Sequence, residues 1–155
     1  MFQPWQQPAV IAHSECLMRS YMHWTRQELL SESHLTDESA RRLFEAPFVL
    51  VSHGIETDPV LNYGNQAALE LWQLTWQELT CMPSRLTAEA PSREERARLL
   101  ERVTSDGYIS DYSGIRIAKS GRRFLIQNAT VWNLRSESGA HCGQAAMFRE
   151  WRFID

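Results

Sequence analysis

The last third of the chain restricts the fold most, because it predicts three consecutive strands. Residues 108–118, 122–134 and 141–149 are rich in β-branched and aromatic side chains. The turn Lys119-Ser120-Gly121 separates the first two strands, and residues 135–139 separate the second from the third. Turns this short join neighbouring antiparallel strands, so this region predicts a three-stranded meander. Alternate residues of a strand share one face, and the middle strand should therefore place Phe124, Ile126, Asn128, Thr130 and Trp132 together.

Two short strands and several helices are predicted before the meander. Residues 48–52 are apolar and β-branched, and residues 60–63 form a second short strand. Asn65 is a good N-cap for a helix over 66–73, and residues 75–78 form a capping box. Residues 92–95 are predicted to be a second capping box, opening a longer helix that runs to about residue 105.

The N-terminal region predicts an extended arm followed by two helices. Residues 1–12 contain two prolines and show no periodicity, as expected for an arm. Residues 13–30 place Leu17, Tyr21 and Trp24 on one helical face. Thr36 is the predicted N-cap of a second, short helix that ends before Pro47.

This order predicts an α+β fold in one domain. Two strands before the helices and three after them make a five-stranded antiparallel sheet with helices on one face, preceded by an N-terminal helical extension. The chain has 155 residues, 43% of them hydrophobic and 23% charged, as in an ordinary soluble domain.

Composition argues against several functional classes. A net charge of -3 does not favour nucleic-acid binding. We expect no membrane span, because no apolar run is long enough, and no signal peptide, because the N-terminus has no basic region followed by an apolar stretch. Cys16, Cys81 and Cys142 are odd in number and widely spaced, which is typical of reduced thiols in a cytoplasmic protein. The five histidines show no paired spacing, so no metal site is predicted.

The order of the predicted strands and helices, and the residues at their turns, resemble those of a PAS domain over about residues 46–151. The match lies in residues 61–68 (Leu-Asn-Tyr-Gly-Asn-Gln-Ala-Ala), in residues 74–79 (Leu-Thr-Trp-Gln-Glu-Leu) and in the hairpin over residues 118–124. We therefore expect an N-terminal extension over residues 1–45 and a PAS-like domain over residues 46–155.

A closer resemblance is to the MEKHLA family, carried mainly by residues 58–65 and 129–134 and extending over residues 48–148. This PAS-related domain is found alone in bacteria, notably cyanobacteria, and at the C-terminus of plant class III homeodomain–leucine-zipper transcription factors. The resemblance implies a stand-alone bacterial member with a regulatory role.

A PAS-like fold implies a cavity that holds flavin, haem, a small organic acid or nothing, and the cofactor is left unknown. Flavin adduct chemistry needs a cysteine where Ser84 stands, and Cys81 lies three positions too early. A haem-binding PAS domain needs a histidine on or beside the long helix, and none lies between His53 and His141. Flavin binding without an adduct stays open as an alternative.

Polar residues among the predicted strands are candidates for the cavity wall, together with aromatic and apolar neighbours. The alternative is that they bond to the backbone or face solvent. The cavity candidates are Ser52, Asn62, Trp72, Phe124, Ile126, Asn128, Thr130, Trp132 and Gln144.

We predict a non-catalytic sensory or regulatory module that binds a small molecule, forms a homodimer or contacts a partner protein. Leu17, Tyr21 and Trp24 are the dimer-interface candidates, unless their helix packs on its own sheet. One alternative is a cone-shaped α+β enzyme, such as an isomerase or dehydratase, using Asp111, Tyr112 and His53. Another alternative is a scaffold protein without a cavity, in which Trp132 or Phe124 fills the core. The charged run over residues 93–98 is interpreted as a solvated helix face.

Overall fold

An antiparallel sheet of six strands forms the centre of the protein. A computed structural model describes residues 3–31 and 37–154. Five strands lie in the order β2-β1-β5-β4-β3, and β6 pairs with β4. The α+β class and the late meander are confirmed. The strands are β1 (Val49–His53), β2 (Leu61–Gly64), β3 (Tyr108–Ile117), β4 (Arg123–Arg135), β5 (His141–Phe148) and β6 (Glu150–Ile154).

The sixth strand was not predicted. β5 pairs with the C-terminal half of β4, and β6 continues past it to pair with the N-terminal half, from Gln127 opposite Glu150 to Arg123 opposite Ile154. The side chains of β6 are exposed or half-buried. The strand therefore lacks the apolar run by which the other strands are recognised.

Five helices accompany the sheet within the described residues. They are α1 (Pro8–Thr25), α2 (Asp37–Phe44), α3 (Gln66–Trp72), α4 (Trp76–Leu79) and α5 (Ala90–Asp106).

The predicted N-terminal arm is wrong, because α1 already begins at Pro8 and a 3₁₀ turn over Pro4–Gln6 precedes it. Proline suits the first helical position, where its fixed φ fits and its missing N–H is not needed. The helix also ends five residues earlier than predicted. Arg26 adopts a left-handed conformation at φ 61° and closes the last turn with a bond to the carbonyl of Met22.

The predicted helix starts have three outcomes. Asn65 caps α3 through Ala68 N–H, and Thr75 with Glu78 forms the capping box of α4, as expected. The capping box over residues 92–95 is wrong, because α5 begins at Ala90. The predicted N-cap Thr36 lies outside the described residues.

A distortion of β4 at Asn128 changes which side chains share a face. Asn128 has φ 52°, and the pairing with β3 is irregular between Tyr112 and its neighbours. A bulge of this kind moves every following side chain to the opposite face. Phe124 and Ile126 therefore lie on one face of the sheet, whereas Trp132 lies on the other.

Helices α3 and α5 cover one face of the sheet, as predicted, and α1 of the N-terminal extension covers the other face. We call the side packed by α3 and α5 the inner face, where Trp72, Phe124 and Val131 are buried. The other side, the outer face, is packed by α1 of the same chain, and Leu17 belongs to one hydrophobic cluster with Trp132 there. In the described part of the chain, no helix has the length and apolarity needed to cross a membrane.

Candidate functional site

A cavity of about 60 Å³ lies on the inner face of the sheet. Strands β1, β3, β4 and β5 form its floor, and α3 and α5 close over it. Its lining consists of Val51, Ser52, His53, Leu61, Trp72, Thr87, Arg96, Leu99, Leu100, Tyr112, Arg116, Ile126, Ala129, Val131, Gln144, Ala145, Ala146 and Phe148.

Most of this wall is apolar, because inward-facing strand positions meet the buried side of α5. Ile126 and Val131 come from β4, Val51 comes from β1, and Leu99 comes from α5. This surface can bury the hydrocarbon part of a small molecule.

Two arginines interrupt the apolar wall. Arg116 lies on β3 and is only 6% exposed, and Arg96 lies on α5. Arg116 donates to Tyr112 Oη at 3.2 Å and to the carbonyl of Ile115 at 2.9 Å, and Arg96 donates to Ser84 Oγ. Among residues 3–31 and 37–154, neither guanidinium forms an ion pair with a carboxylate.

The two guanidinium charges are desolvated and repel each other. Burial lowers the pKa of Arg96 to about 10, and the nearby charge of Arg116 acts in the same direction. Burial also raises the pKa of Tyr112, whose hydroxyl donates to both carboxylate oxygens of Glu95 at 3.0 Å. The cavity therefore carries positive charge in a mostly apolar setting, which favours a bound anion.

Two further polar atoms of wall residues have no hydrogen-bond partner within the described chain: His53 Nε2 and Trp72 Nε1. His53 Nδ1 lies 2.9 Å from the carbonyl oxygen of Gly54, which can only accept, so Nδ1 carries the proton. Burial lowers the pKa of His53, so the ring is neutral and Nε2 is an acceptor. Buried polar atoms nearly always have partners, so these two atoms are exceptions among the wall residues.

A polar network connects the cavity to both helical layers. Gln144 Nε2 lies 3.1 Å from the carbonyl of Leu100 on α5 and 3.0 Å from Asn133 Oδ1. Asn133 Nδ2 donates to the backbone carbonyl of Val103 at 2.8 Å, and the backbone carbonyl of Asn133 accepts from Trp24 Nε1 of α1 at 2.9 Å. Through Gln144, a change at the cavity wall is thus one hydrogen bond away from α5 and two away from Trp24 of α1.

An open surface groove adjoins the cavity. The groove runs between the loop after β1 and α5, and it shares His53, Arg96, Leu100 and Gln144 with the cavity wall. These four residues therefore separate the cavity from solvent.

Four of the nine predicted cavity residues line this cavity: Ser52, Trp72, Ile126 and Gln144. The Ser52 hydroxyl lies 2.8 Å from His13 Nε2 of α1 and donates to Asn62 Oδ1 at 2.5 Å. That any of these residues contacts a ligand stays a prediction.

The structure places the other five candidates away from the wall. Asn62 is exposed on β2, and Phe124 is buried beside Trp72 with ring centroids 5.2 Å apart. Asn128 is exposed and bonds Glu150.

The last two candidates, Thr130 and Trp132, follow the bulge in β4. Thr130 pairs with Met147, whose side chain belongs to the outer cluster, and Trp132 packs edge-on against Tyr21 at 4.9 Å. The prediction that these residues share one face is wrong, because a residue in the left-handed conformation interrupts the alternation of side chains along a strand.

Sequence reasoning missed both arginines. Arg96 belongs to the run interpreted as a solvated helix face, and that interpretation is wrong for this residue. Arg116 shares its strand face with Gly114 and Ala118, and a charged residue at an inward position of a strand was the available signal.

The dimer-interface candidates lie against their own sheet. Leu17 and Tyr21 are buried at 0% and 6% exposure, and Trp24 is half-buried with its Nε1 bonded to Asn133. Of the two arrangements that the sequence left open, α1 adopts packing in cis. A dimer contact through these three residues would require α1 to leave this position.

The structure also shows where the residues proposed for the alternative functions lie. Asp111 is exposed on β3, and within the described residues it has no hydrogen bond to His53. Ser84 is buried with its hydroxyl on Arg96, and Cys81 is exposed. No group of three or more His, Cys, Asp or Glu side chains in the described part of the chain is arranged to hold a metal ion.

The strand order, the short capped helices and the inner-face cavity define a PAS-like domain. Solved structures agree. The PAS domain of a Colwellia psychrerythraea protein aligns with a TM-score of 0.63 and 13% identity, over 76% of this chain and 94% of that one. An RNA-binding light-oxygen-voltage receptor aligns with a TM-score of 0.63 and 17% identity, over 83% of this chain and 36% of that one. These identities establish the fold alone.

The chain belongs to the MEKHLA domain family, whose model matches residues 11–153. Its relatives include the homeobox–leucine zipper protein HOX32 of Oryza sativa subsp. japonica, 24% identical over 138 residues, or 88% of this chain and 16% of that protein. REVOLUTA of Arabidopsis thaliana is 22% identical over 154 residues, or 95% of this chain and 18% of that protein. The chain thus spans less than a fifth of these relatives. The predicted membership of the MEKHLA family is confirmed, whereas a stand-alone bacterial origin stays a prediction.

Proposed function

We propose that this chain is a non-catalytic sensory or regulatory module that binds a small molecule in the inner-face cavity. The cavity of about 60 Å³ carries the proposal. One water needs about 10–15 Å³ of such volume, so the cavity suits a molecule of about four to six non-hydrogen atoms. Flavin and haem are far larger, and this size favours a small metabolite over either.

Binding would be transmitted by a population shift in helix packing. A ligand that contacts Gln144 changes the bonds that this side chain makes to α5 and Asn133. Asn133 in turn holds Trp24 of α1 on the outer face. Both helices therefore respond to the same molecule, and their surfaces are the output.

Homodimerisation and contact with a partner protein belong to the same proposal. The relatives named above are homeobox–leucine zipper proteins in which the matching region is a small part of the chain. By analogy, the module would act on the activity of an attached or partner protein rather than carry out chemistry itself. The division between an extension over residues 1–45 and a domain over residues 46–155 stays a prediction.

The placement of polar residues favours binding over catalysis. An isomerase or dehydratase of this size would need a buried acid–base pair in the pocket. Asp111, the carboxylate predicted for that role, is exposed, and the hydroxyl of Tyr112 is engaged by Glu95 and Arg116.

Calorimetric titration with three-carbon probes tests the proposal. Propanol, propionamide and propionate present three head groups on a body that fits the cavity. We expect saturable binding of at least one probe to the full chain. Ala129→Leu, which fills the wall of the cavity, should weaken that binding at least about tenfold by steric exclusion.

Ala12→Leu is the matched control, because Ala12 is exposed on α1. If Ala129→Leu does not fold, Ala146→Leu makes the same test from β5, where Ala146 also lines the cavity. The proposal fails if no probe binds saturably, or if a folded cavity-filling variant binds as tightly as the unsubstituted chain.

A further inference from the structure

We propose that the ligand of this cavity is a short-chain monocarboxylate, bound through its carboxylate by Arg96 and Arg116. The inference rests on the proposed function and names the ligand class for the same cavity. Each guanidinium has five N–H donors, in a fork that matches the two oxygens of a carboxylate. Among the described residues, Arg96 donates a hydrogen bond to Ser84. Arg116 donates to the hydroxyl of Tyr112 and to the backbone carbonyl of Ile115. Donors therefore remain on both side chains.

Uncompensated charge is the main argument. Buried charges are normally paired, because desolvation without a partner costs free energy. Arg116 is buried and Arg96 is half-buried in the wall of the same cavity, and neither has a carboxylate within ion-pair distance among the described residues. Glu95 supplies one negative charge nearby, but its oxygens accept from Tyr112. Glu56, which also acts on the wall residue His53, is exposed to solvent. Inside the cavity two cations therefore face one anion, and a bound monoanion would balance the excess positive charge.

The rest of the wall decides what the anion carries. Val51, Leu99, Ile126 and Val131 offer hydrocarbon rather than hydrogen-bond partners. A second carboxylate or the further oxygens of a phosphate would face these side chains and lose hydration without replacement. A tail of one to three carbons fits both the chemistry and the volume of about 60 Å³.

The groove gives the anion a route. Arg96 belongs to both the groove and the cavity, so one guanidinium is reached from solvent before the ligand meets Arg116. The carboxylate of the ligand therefore meets a guanidinium before the hydrocarbon tail of the ligand reaches the apolar wall.

Titration of the full chain with propionate, propionamide and inorganic phosphate tests the head group. Propionamide has nearly the shape of propionate without its charge. We expect propionate to bind at least about tenfold more tightly than either other probe, because hydrogen bonds to a charged group are the stronger ones. Arg96→Gln and Arg116→Gln should each weaken propionate binding about ten- to a hundredfold.

Arg98→Gln is the matched control. Arg98 lies on the same helix, is exposed and pairs with Glu94, so its loss should leave propionate affinity unchanged. Equal losses in the Arg96→Gln and Arg98→Gln variants would overturn the inference.

A second measurement separates ligand binding from a structural role of Arg96. A residue that stabilises the fold through Ser84 would lower the urea midpoint when replaced. A residue that holds an uncompensated buried charge for a ligand would not, and replacing it with a similar apolar side chain is neutral or stabilising. We therefore expect Arg96→Met, without ligand, to unfold at the same urea concentration as the unsubstituted chain or at a higher one. A lower midpoint would contradict the inference.

The outcomes distinguish the inference from the proposed function. If propionamide or propanol binds as tightly as propionate, the assignment of the ligand as a monocarboxylate is wrong, but the proposal that the cavity binds a small molecule is retained. If phosphate binds as tightly as propionate, the site recognises anionic charge alone and the inference is overturned. If no probe binds, the proposed function fails together with it.

Discussion

At the residue scale, Asn65 connects more of the backbone than its position between β2 and α3 implies. Its Oδ1 accepts from Leu50 N–H at 3.1 Å and from Ala68 N–H at 3.2 Å. Its Nδ2 donates to the carbonyls of Phe48 at 2.8 Å and Leu43 at 3.3 Å. The side chain is fully buried, so one amide joins the end of α2, β1 and the start of α3.

We expect Asn65→Ala to destabilise the protein by about 3 kcal/mol, since it removes an N-cap and leaves buried backbone groups unpaired. Urea denaturation measures the change. Gln77→Ala is the control: Gln77 is an exposed amide on α4, and its loss should cost less than about 1 kcal/mol. Equal losses at the two positions would show that the network around Asn65 contributes little.

His13 makes stability depend on pH. The ring lies on α1 against Tyr63 and Ser52, and burial lowers the pKa of His13 from 6.5 to about 4. The unfolded chain therefore takes up a proton near pH 6.5, while the folded protein resists protonation until about pH 4. Acidification through this window binds protons to the unfolded state and lowers stability.

The expected loss between these two pH values is on the order of 3 kcal/mol from this residue. Urea midpoints measured across the window for the unsubstituted chain and for His13→Gln isolate its contribution. The variant should show a clearly shallower pH dependence. Ala12→Leu, at a neighbouring exposed position of α1 without a titratable group, should keep the original slope. An unchanged slope in His13→Gln would contradict the assignment.

At the element scale, the packing of α1 on its own sheet has a chemical signature. Cys16 of α1 and Cys142 of β5 have their sulfur atoms 3.9 Å apart. An added oxidant such as oxidised glutathione can take two electrons and two protons from this thiol pair and join the sulfurs. Burial raises the pKa of Cys142 to about 11, so the reaction should be slow at neutral pH and faster under alkaline conditions.

We expect the disulfide to form within one chain and to stabilise it by about 3 kcal/mol. Cys81→Ser is the background of choice, because Cys81 is exposed and would cross-link molecules. Non-reducing electrophoresis should then show an oxidised monomer that Cys16→Ser abolishes. A covalent dimer in that background would mean that α1 lies across a partner chain.

The elements also mark where sequence reasoning succeeds. Asn65 and Thr75 are caps with local rules, and the structure confirms both. Pro8 was assigned to an arm because proline breaks most patterns, although it also begins helices. Asn128 shows what is harder to predict from sequence: one residue in the left-handed conformation moves the side chain of Trp132 to the outer face. Alternation alone contains no sign of such a bulge.

At the scale of the whole molecule, the fold was more predictable than the cavity. Strand order follows from turns and caps, which are local. A cavity depends on residues from five strands, two helices and the 3₁₀ turn over Ser84–Thr87, which meet only after folding. Trp72, Ile126 and Gln144 were found because they lie on predicted elements. Arg96 and Arg116 were missed because charge is ordinarily a sign of solvent.

The central claim is that the inner-face cavity holds a small ligand, and nuclear Overhauser contacts to bound propionate test it most directly. The account predicts contacts from the propionate methyl and methylene protons to the methyl groups of Val51, Leu99 and Val131. It predicts none to methyl groups of α1, such as Leu17 on the outer face. Contacts confined to other methyl groups, or none at saturating propionate, would contradict it.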